Sequence, residues 1–146
     1  MNPEDSKARA RRITQELLTQ GDLAVATEIF ATDCAHHAPM PMAPGPAGAR
    51  QLIAALRHAF PDLRATIEDE LVEGATVMHR LTLAGTHQGA WFDLPASGRH
   101  VSWSVALILH AGPDGSFIDH WSIWDQLDLV SQIVPAAVGP TKRTGV

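Results

Sequence analysis

Eight histidines, one cysteine and no tyrosine among 146 residues bound the chemistry open to this chain. Histidine titrates near neutrality, so the eight invite a proton-transfer site without locating it. A carboxylate drawn into apolar surroundings has its pKa raised, by as much as roughly 3 to 5 units in full burial, and then carries protons usefully near pH 7. With no tyrosine, any mechanism whose oxyanion hole or relay is a phenolic hydroxyl is excluded. Cys34, the single cysteine, rules out internal disulfides and multi-cysteine metal sites, and with no activating base it reads as buried and inert. No His-x-His or His-x-x-x-His spacing occurs, so no metal is expected. Phosphate-binding glycine loops, nucleophile elbows and dinucleotide fingerprints are likewise missing from the sequence.

The elements that must position these groups change character at Pro61. Before it, apolar residues recur at helical spacing in Ser6 to Gln20, Leu23 to Phe30 and Ala47 to Phe60. A proline-rich segment with Pro39, Pro41, Pro44 and Pro46 reads as a loop, entered by a short extended stretch from Cys34. After Pro61 the period falls to two. Leu63 to Leu71, Thr76 to His87, Arg99 to His110 and Ser116 to Asp125 read as strands, and Leu127 to Ile133 as a last short helix. This is an α+β pattern: one domain over residues 1–134, with a curved antiparallel sheet packed on three N-terminal helices, and a mobile tail over 135–146. Three of the strands are long enough to twist and curl, and a curled sheet closed by helices makes a cone with a hollow.

The hairpin formed by the last two strands offers the sharpest local inference. A two-residue turn at Pro113-Asp114 sets His110 opposite Phe117, Ile108 opposite Asp119, Ala106 opposite Trp121, Ser104 opposite Ile123 and Ser102 opposite Asp125. One face then holds Trp121, Ile123 and Asp125 beside small residues, as a pocket wall would. The other collects Val101, Trp103, Val105, Leu107 and Leu109, as a core or subunit contact would. On that reading Asp125 is partly desolvated and able to carry a proton. The alternative is that Asp125 only caps the helix starting near Leu127. A register slip of one residue would exchange the faces.

Charge and composition narrow the partners. A net charge of −5 is the wrong sign for nucleic acid or an anionic lipid surface. The N-terminus has no apolar leader, and no run approaches the ~20 apolar residues of a membrane span, so a cytoplasmic protein is expected.

The residues also carry a resemblance. Phe60-Pro61-Asp62-Leu63, Gly85-Thr86-His87-Gln88-Gly89, Leu94-Pro95-Ala96-Ser97-Gly98-Arg99, Asp119-His120-Trp121 with Asp125 four further on, and Leu129 with Gln132 resemble the SnoaL-like polyketide cyclases, in the superfamily whose fold is named after nuclear transport factor 2. The resemblance runs from about Gly21 to Val134. It implies a cone-shaped α+β barrel, usually dimeric through the sheet's outer face, with a deep apolar pocket for a small hydrophobic polyketide-like substrate. It also implies that the aspartate of Trp-x-x-x-Asp, here Asp125, closes a ring by intramolecular aldol chemistry without metal or organic cofactor. The family's usual His-Asp-Pro is His37-Ala38-Pro39 in this chain, which retains the histidine but not its acidic partner.

Within that frame His37 sits near the mouth of the cone and can donate to a carbonyl oxygen, or is an exposed loop histidine. Arg80 and Thr82 are candidate substrate contacts, although Arg80 can equally pair with Glu68 or Glu70. Trp121 is a stacking wall or core filler, and Ile123 and Ser104 stand beside it. His110 shares the face but lies on the order of 25 Å along the strand from Asp125. His87, His100 and His120 read as surface or supporting groups, and Trp103 and Trp124 as core or dimer contacts. The rival readings are a shape-driven, for example pericyclic, cyclase and a non-catalytic ligand-binding or dimerisation module. An epoxide hydrolase of Asp-Arg-Asp type is disfavoured, since Thr82 stands where a carboxylate is wanted.

Overall fold

The computed structural model describes residues 2–134, so the tail expected to be mobile lies outside the described residues. Helix α1 (Pro3–Arg12) starts where Pro3 occupies a first-turn position and the Asn2 side chain accepts the Asp5 backbone N–H at 2.9 Å. Acidic residues in its first turn and arginines in its last suit the helix dipole. It runs on as a π-helical segment, Ile13–Thr19, whose Ile13, Leu17 and Leu18 are buried. The second expected helix is much shorter: one 3₁₀ turn (Leu23–Val25) leads into α2 (Ala26–Ile29). Phe30 then opens a strand, β1 (Phe30–His37), where the sequence suggested only a brief extended stretch further on. Helix α3 (Gly45–Ala59) buries Ile53, Leu56 and Ala59 on one face and ends ahead of Pro61, as its spacing predicts.

Four further strands follow: β2 (Arg64–Glu73), β3 (Thr76–Thr86), β4 (His100–Ala111) and β5 (Phe117–Trp124), and then α4 (Gln126–Ile133). The sheet order is β1-β5-β4-β3-β2. All neighbours are antiparallel except β1 and β5, which run parallel. The architecture is thus the expected α+β cone, a five-stranded curved sheet with the helices on one face. The edge strand β1 is an addition to the four strands read from the sequence.

Helices with one apolar stripe require an apolar sheet face to cover. That face is built from Val77, Leu81 and Leu83 on β3 and Val101, Trp103, Val105, Leu107 and Leu109 on β4, all buried. Polar ties lock the layers. The Arg57 guanidinium donates to the carbonyls of Leu18, Thr19, Leu63 and Pro61, so one side chain joins the end of the first helix to α3 and β2. Two glycines seat the proline-rich segment. Gly45 has φ 71°, and a Cβ there would collide with the Thr32 carbonyl; a Cβ at Gly48 would collide with that of Ala43.

Candidate active site

The hollow lies between α3, the π-helical segment and the covered face of the sheet. Its open volume is about 40 Å³, and its walls include Leu17, Phe30, Ile53 and Leu107. Two polar side chains, His120 and Ser122 of β5, border it. Met42 and Leu52 form a partition between this hollow and a larger groove of about 270 Å³, which runs along α3 past His58, Trp91 and Phe92.

His120 is buried and part of a relay. Its Nδ1 lies 2.9 Å from Nδ1 of His36, and His36 Nε2 lies 2.8 Å from the Gly45 carbonyl oxygen. A carbonyl only accepts, so His36 carries its hydrogen on Nε2. Burial holds the His36 pKa below its usual range and keeps the ring neutral near pH 7, which leaves Nδ1 as an acceptor. His120 therefore donates from Nδ1, and its Nε2 is a bare lone pair. That nitrogen is buried and has no partner among the described residues. Burial, with a smaller contribution from His36, pushes the His120 pKa down to about 3. Phe30 packs against both rings, at 5.2 Å from His36 and 5.7 Å from His120. Two residues along the strand, the Ser122 hydroxyl oxygen accepts the Trp124 indole N–H at 2.7 Å. Its own O–H is without an acceptor among the described residues, so two neighbouring residues that border the hollow hold an unused acceptor and an unused donor.

The expected pocket wall is the opposite face. Observed partners on β4 and β5 are Val105 with Trp124, Ile108 with Trp121 and His110 with Asp119. The register is offset by two residues from the expected one, because the turn spans Gly112 to Gly115 and is closed by Gly112 N–H on the Ser116 carbonyl. An even offset keeps each residue on its predicted face. Helices, however, cover the other face. Trp121 and Ile123 are 42% and 53% exposed, and Ser104 faces solvent. Asp125 is exposed as well. Its carboxylate accepts the Asp128 backbone N–H at 3.2 Å as the N-cap of α4, so the expected dry environment is replaced by the capping alternative.

The remaining candidates are also on the outer face or its border. Arg80 pairs with Asp69 at 2.6 Å rather than with Glu68 or Glu70. Thr82 donates to Glu68, and Glu70 binds Arg11 and the buried His79. His110 shares a 2.9 Å hydrogen bond with the Thr76 hydroxyl. His37 lies on β1, not in a loop, and its missing acidic partner comes from across the sheet: Nε2 is 2.8 Å from Asp119, and the ring stacks on Trp121 at 4.0 Å. Burial acts to raise the Asp119 pKa, but hydrogen bonds from His37 and Trp121 outweigh it and hold the carboxyl below its usual range. This cluster borders a wide, open depression rimmed by residues 38–42, which His36 also borders.

Of the surface and supporting alternatives for these histidines, burial removes the surface one for His87 and His120, whereas His100 is exposed. Trp103 belongs to the core, and burial raises the pKa of the inert Cys34 to about 12. The signal for His120 was present in the sequence. Even-numbered residues of β5 share the face of the unbroken apolar run in β4, and that is the face the helices need. Among the described residues no group of three or more His, Cys, Asp or Glu is arranged to hold a metal ion. No helix among them is long and apolar enough to cross a membrane.

A profile of SnoaL-like polyketide cyclases matches residues 8–133. Among solved structures, TsrD from Streptomyces laurentii is similar at 27% identity and a TM-score of 0.83, covering 91% of this chain and 97% of that one. IdmH from Streptomyces antibioticus is 25% identical with a TM-score of 0.74, covering 87% and 96%. A SnoaL-like protein from Jannaschia sp. CCS1, 23% identical over 91% and 95% with a TM-score of 0.81, shares the fold. A search of curated proteins gave no match.

Proposed function

This chain belongs to the SnoaL-like polyketide cyclase family, and from that premise we propose that it is a cofactor-free cyclase. Its substrate is a small, largely apolar polyketide-like molecule, and its reaction is an intramolecular aldol-type ring closure. The observation that carries the reading is the hollow itself, an apolar enclosure bordered by Ser122 and by His120, whose Nε2 is buried and unpartnered among the described residues. Ring closure needs a C–H proton next to one carbonyl removed, the resulting enolate brought to a second carbonyl, and the new alkoxide protonated. A positioned base is typically worth about 10²- to 10⁴-fold, and the remaining acceleration comes from holding the two ends of the chain together. Asp125, exposed and engaged as a helix cap, leaves these tasks to the groups on the inner face.

Ligand sites usually measure roughly 300–1,000 Å³, so the hollow alone is too small. Met42, unbranched and adaptable, shares with Leu52 the partition from the groove beside α3, and a turn of the Met42 side chain would widen the passage between the two spaces. The reading also includes a homodimer through the sheet's outer face. An apolar band crosses that face at one register, from Leu71 through Met78 and Ile108 to Trp121. Trp121→Arg should convert a dimer to monomer in analytical ultracentrifugation; a wild-type protein that sediments as a monomer contradicts the dimer.

The test is to incubate the protein with a synthetic linear poly-β-ketone and follow ring closure by mass spectrometry and NMR. Acceleration toward one ring pattern supports a cyclase; the product mixture formed in buffer alone contradicts it. The small volume of the hollow favours a second reading, a module that binds without chemistry. Binding of the poly-β-ketone with no change in its cyclisation would select that reading.

A further inference from the structure

We infer that His120 and His36 form a two-histidine proton wire from the hollow to the open depression beside β1, with His120 as the catalytic residue and His36 as a positioning residue behind it. The inference rests on the hollow being the substrate site. Parallel pairing of β1 with β5 brings the two rings together, 5.1 Å between centroids and edge to face. One end of the pair borders the hollow and the other borders the depression. The Gly45 carbonyl fixes the direction of the hydrogen bonds, since it forces the His36 hydrogen onto Nε2 and so leaves His120 bare on Nε2. Only glycine fits at this position, because its φ is positive and a Cβ there would collide with the Thr32 carbonyl oxygen.

In the forward step the C–H bond next to a substrate carbonyl breaks and its proton forms an N–H bond at His120 Nε2. The His120 Nδ1 proton passes to His36 Nδ1. The electron pair stays on the substrate as an enolate and forms the new C–C bond at the second carbonyl carbon. The alkoxide then takes the proton back from His120 Nε2, and His36 returns its proton to His120 Nδ1. The wire moves the positive charge from a buried ring, where it is strongly disfavoured, to one closer to water. The Asp119 carboxylate favours a positive charge on either ring, while His37 acts against it. Ser122, two residues on, is placed to donate its free O–H to the substrate carbonyl.

The test is nitrogen-15 NMR of the histidine rings in the whole protein, with phenol and toluene as probes of matched shape. The expected free state has His120 protonated on Nδ1 and bare on Nε2, and His36 the reverse; a hydrogen on His120 Nε2 overturns the wire. Phenol should move the His120 Nε2 resonance and toluene should not, with both shifting the methyl signals of Leu17 and Ile53. Methyl shifts with an unmoved Nε2 resonance sink the wire but leave the hollow as a binding site. Unshifted methyl signals sink the reading of the hollow itself. In the poly-β-ketone assay, His36→Phe should lower kcat at least tenfold with KM little changed. A wild-type rate in that variant overturns the wire, and should the variant not fold, the ring tautomers decide.

Discussion

Two side-chain pairs, His36 with His120 and His37 with Asp119, sit one residue apart on the same two strands, and their fates differ. His36 and His120 point to the covered face, where apolar packing surrounds them and burial pushes His120 down to about 3. His37 and Asp119, their immediate neighbours, point to the outer face, where the pair is partly exposed and stacks beside Trp121. A strand's two-residue period makes opposite faces out of adjacent positions. Residue type therefore does not decide which pair is equipped for chemistry in a dry site; the layer that covers the sheet does. A carboxylate on the open side is solvated and capped, while an unpaired nitrogen on the closed side keeps its lone pair for whatever enters.

Truncations give the widest separation of the two faces. Trp103→Ala on the inner face should cost about 3–5 kcal/mol of unfolding free energy, whereas Ile123→Ala on the outer face should stay within about 0.5 kcal/mol. Urea melts check both, and similar losses would contradict the assignment of faces.

Acid sensitivity comes next. Burial lowers the folded-state pKa of His36, His79, His87 and His120. Below about pH 6.5 the unfolded chain binds protons that the folded chain refuses, so stability is complete above that pH and falls as pH drops toward the folded values. Each such proton contributes a slope of up to about 1.4 kcal/mol per pH unit. Melting temperature should therefore fall between pH 7 and 5, with a shallower fall in His120→Asn. An unaltered slope in His120→Asn would contradict its burial as a neutral ring.

Loss of a cap is smaller. Asp125→Ala should cost about 0.5–2 kcal/mol, and Asp125→Asn much less because asparagine also caps. Neither should change the cyclisation rate more than a few-fold, and abolished turnover in Asp125→Asn would return the chemistry to the outer face. Smallest of all, Arg80→Ala removes an ion pair in which both partners are more than half exposed. It should cost no more than about 0.2–1 kcal/mol in the same melts.

Much of this architecture is legible in local pattern. Helix α3 announces itself through Leu52, Ile53, Leu56 and Ala59 ahead of Pro61, and β3 and β4 through alternation that the structure matches to within a residue or two. Strand β1 is different, because its partner lies some eighty residues away and no local signal encodes a parallel pairing of that span. The hairpin shows how a partly correct inference inverts a site. Two-residue periodicity sorts β4 and β5 into the right faces despite the longer turn, but the face that carries a carboxylate beside small residues, and so resembles a pocket wall, is the open one. The amphipathic helices held the correction, since only the unbroken run from Val101 to Leu109 can cover them. His120 then follows from parity alone, whereas its relay through His36 to Gly45 needs β1 in place.

The most direct test of an inner-face site is where a ligand's protons make contact. With 1,8-dihydroxyanthraquinone as a planar polyphenolic ligand and methyl-labelled protein, intermolecular nuclear Overhauser effects should connect the ligand to Leu17, Ile53 and Leu107. Contacts confined to Ile108 and Ile123 would place recognition on the outer face and contradict the account.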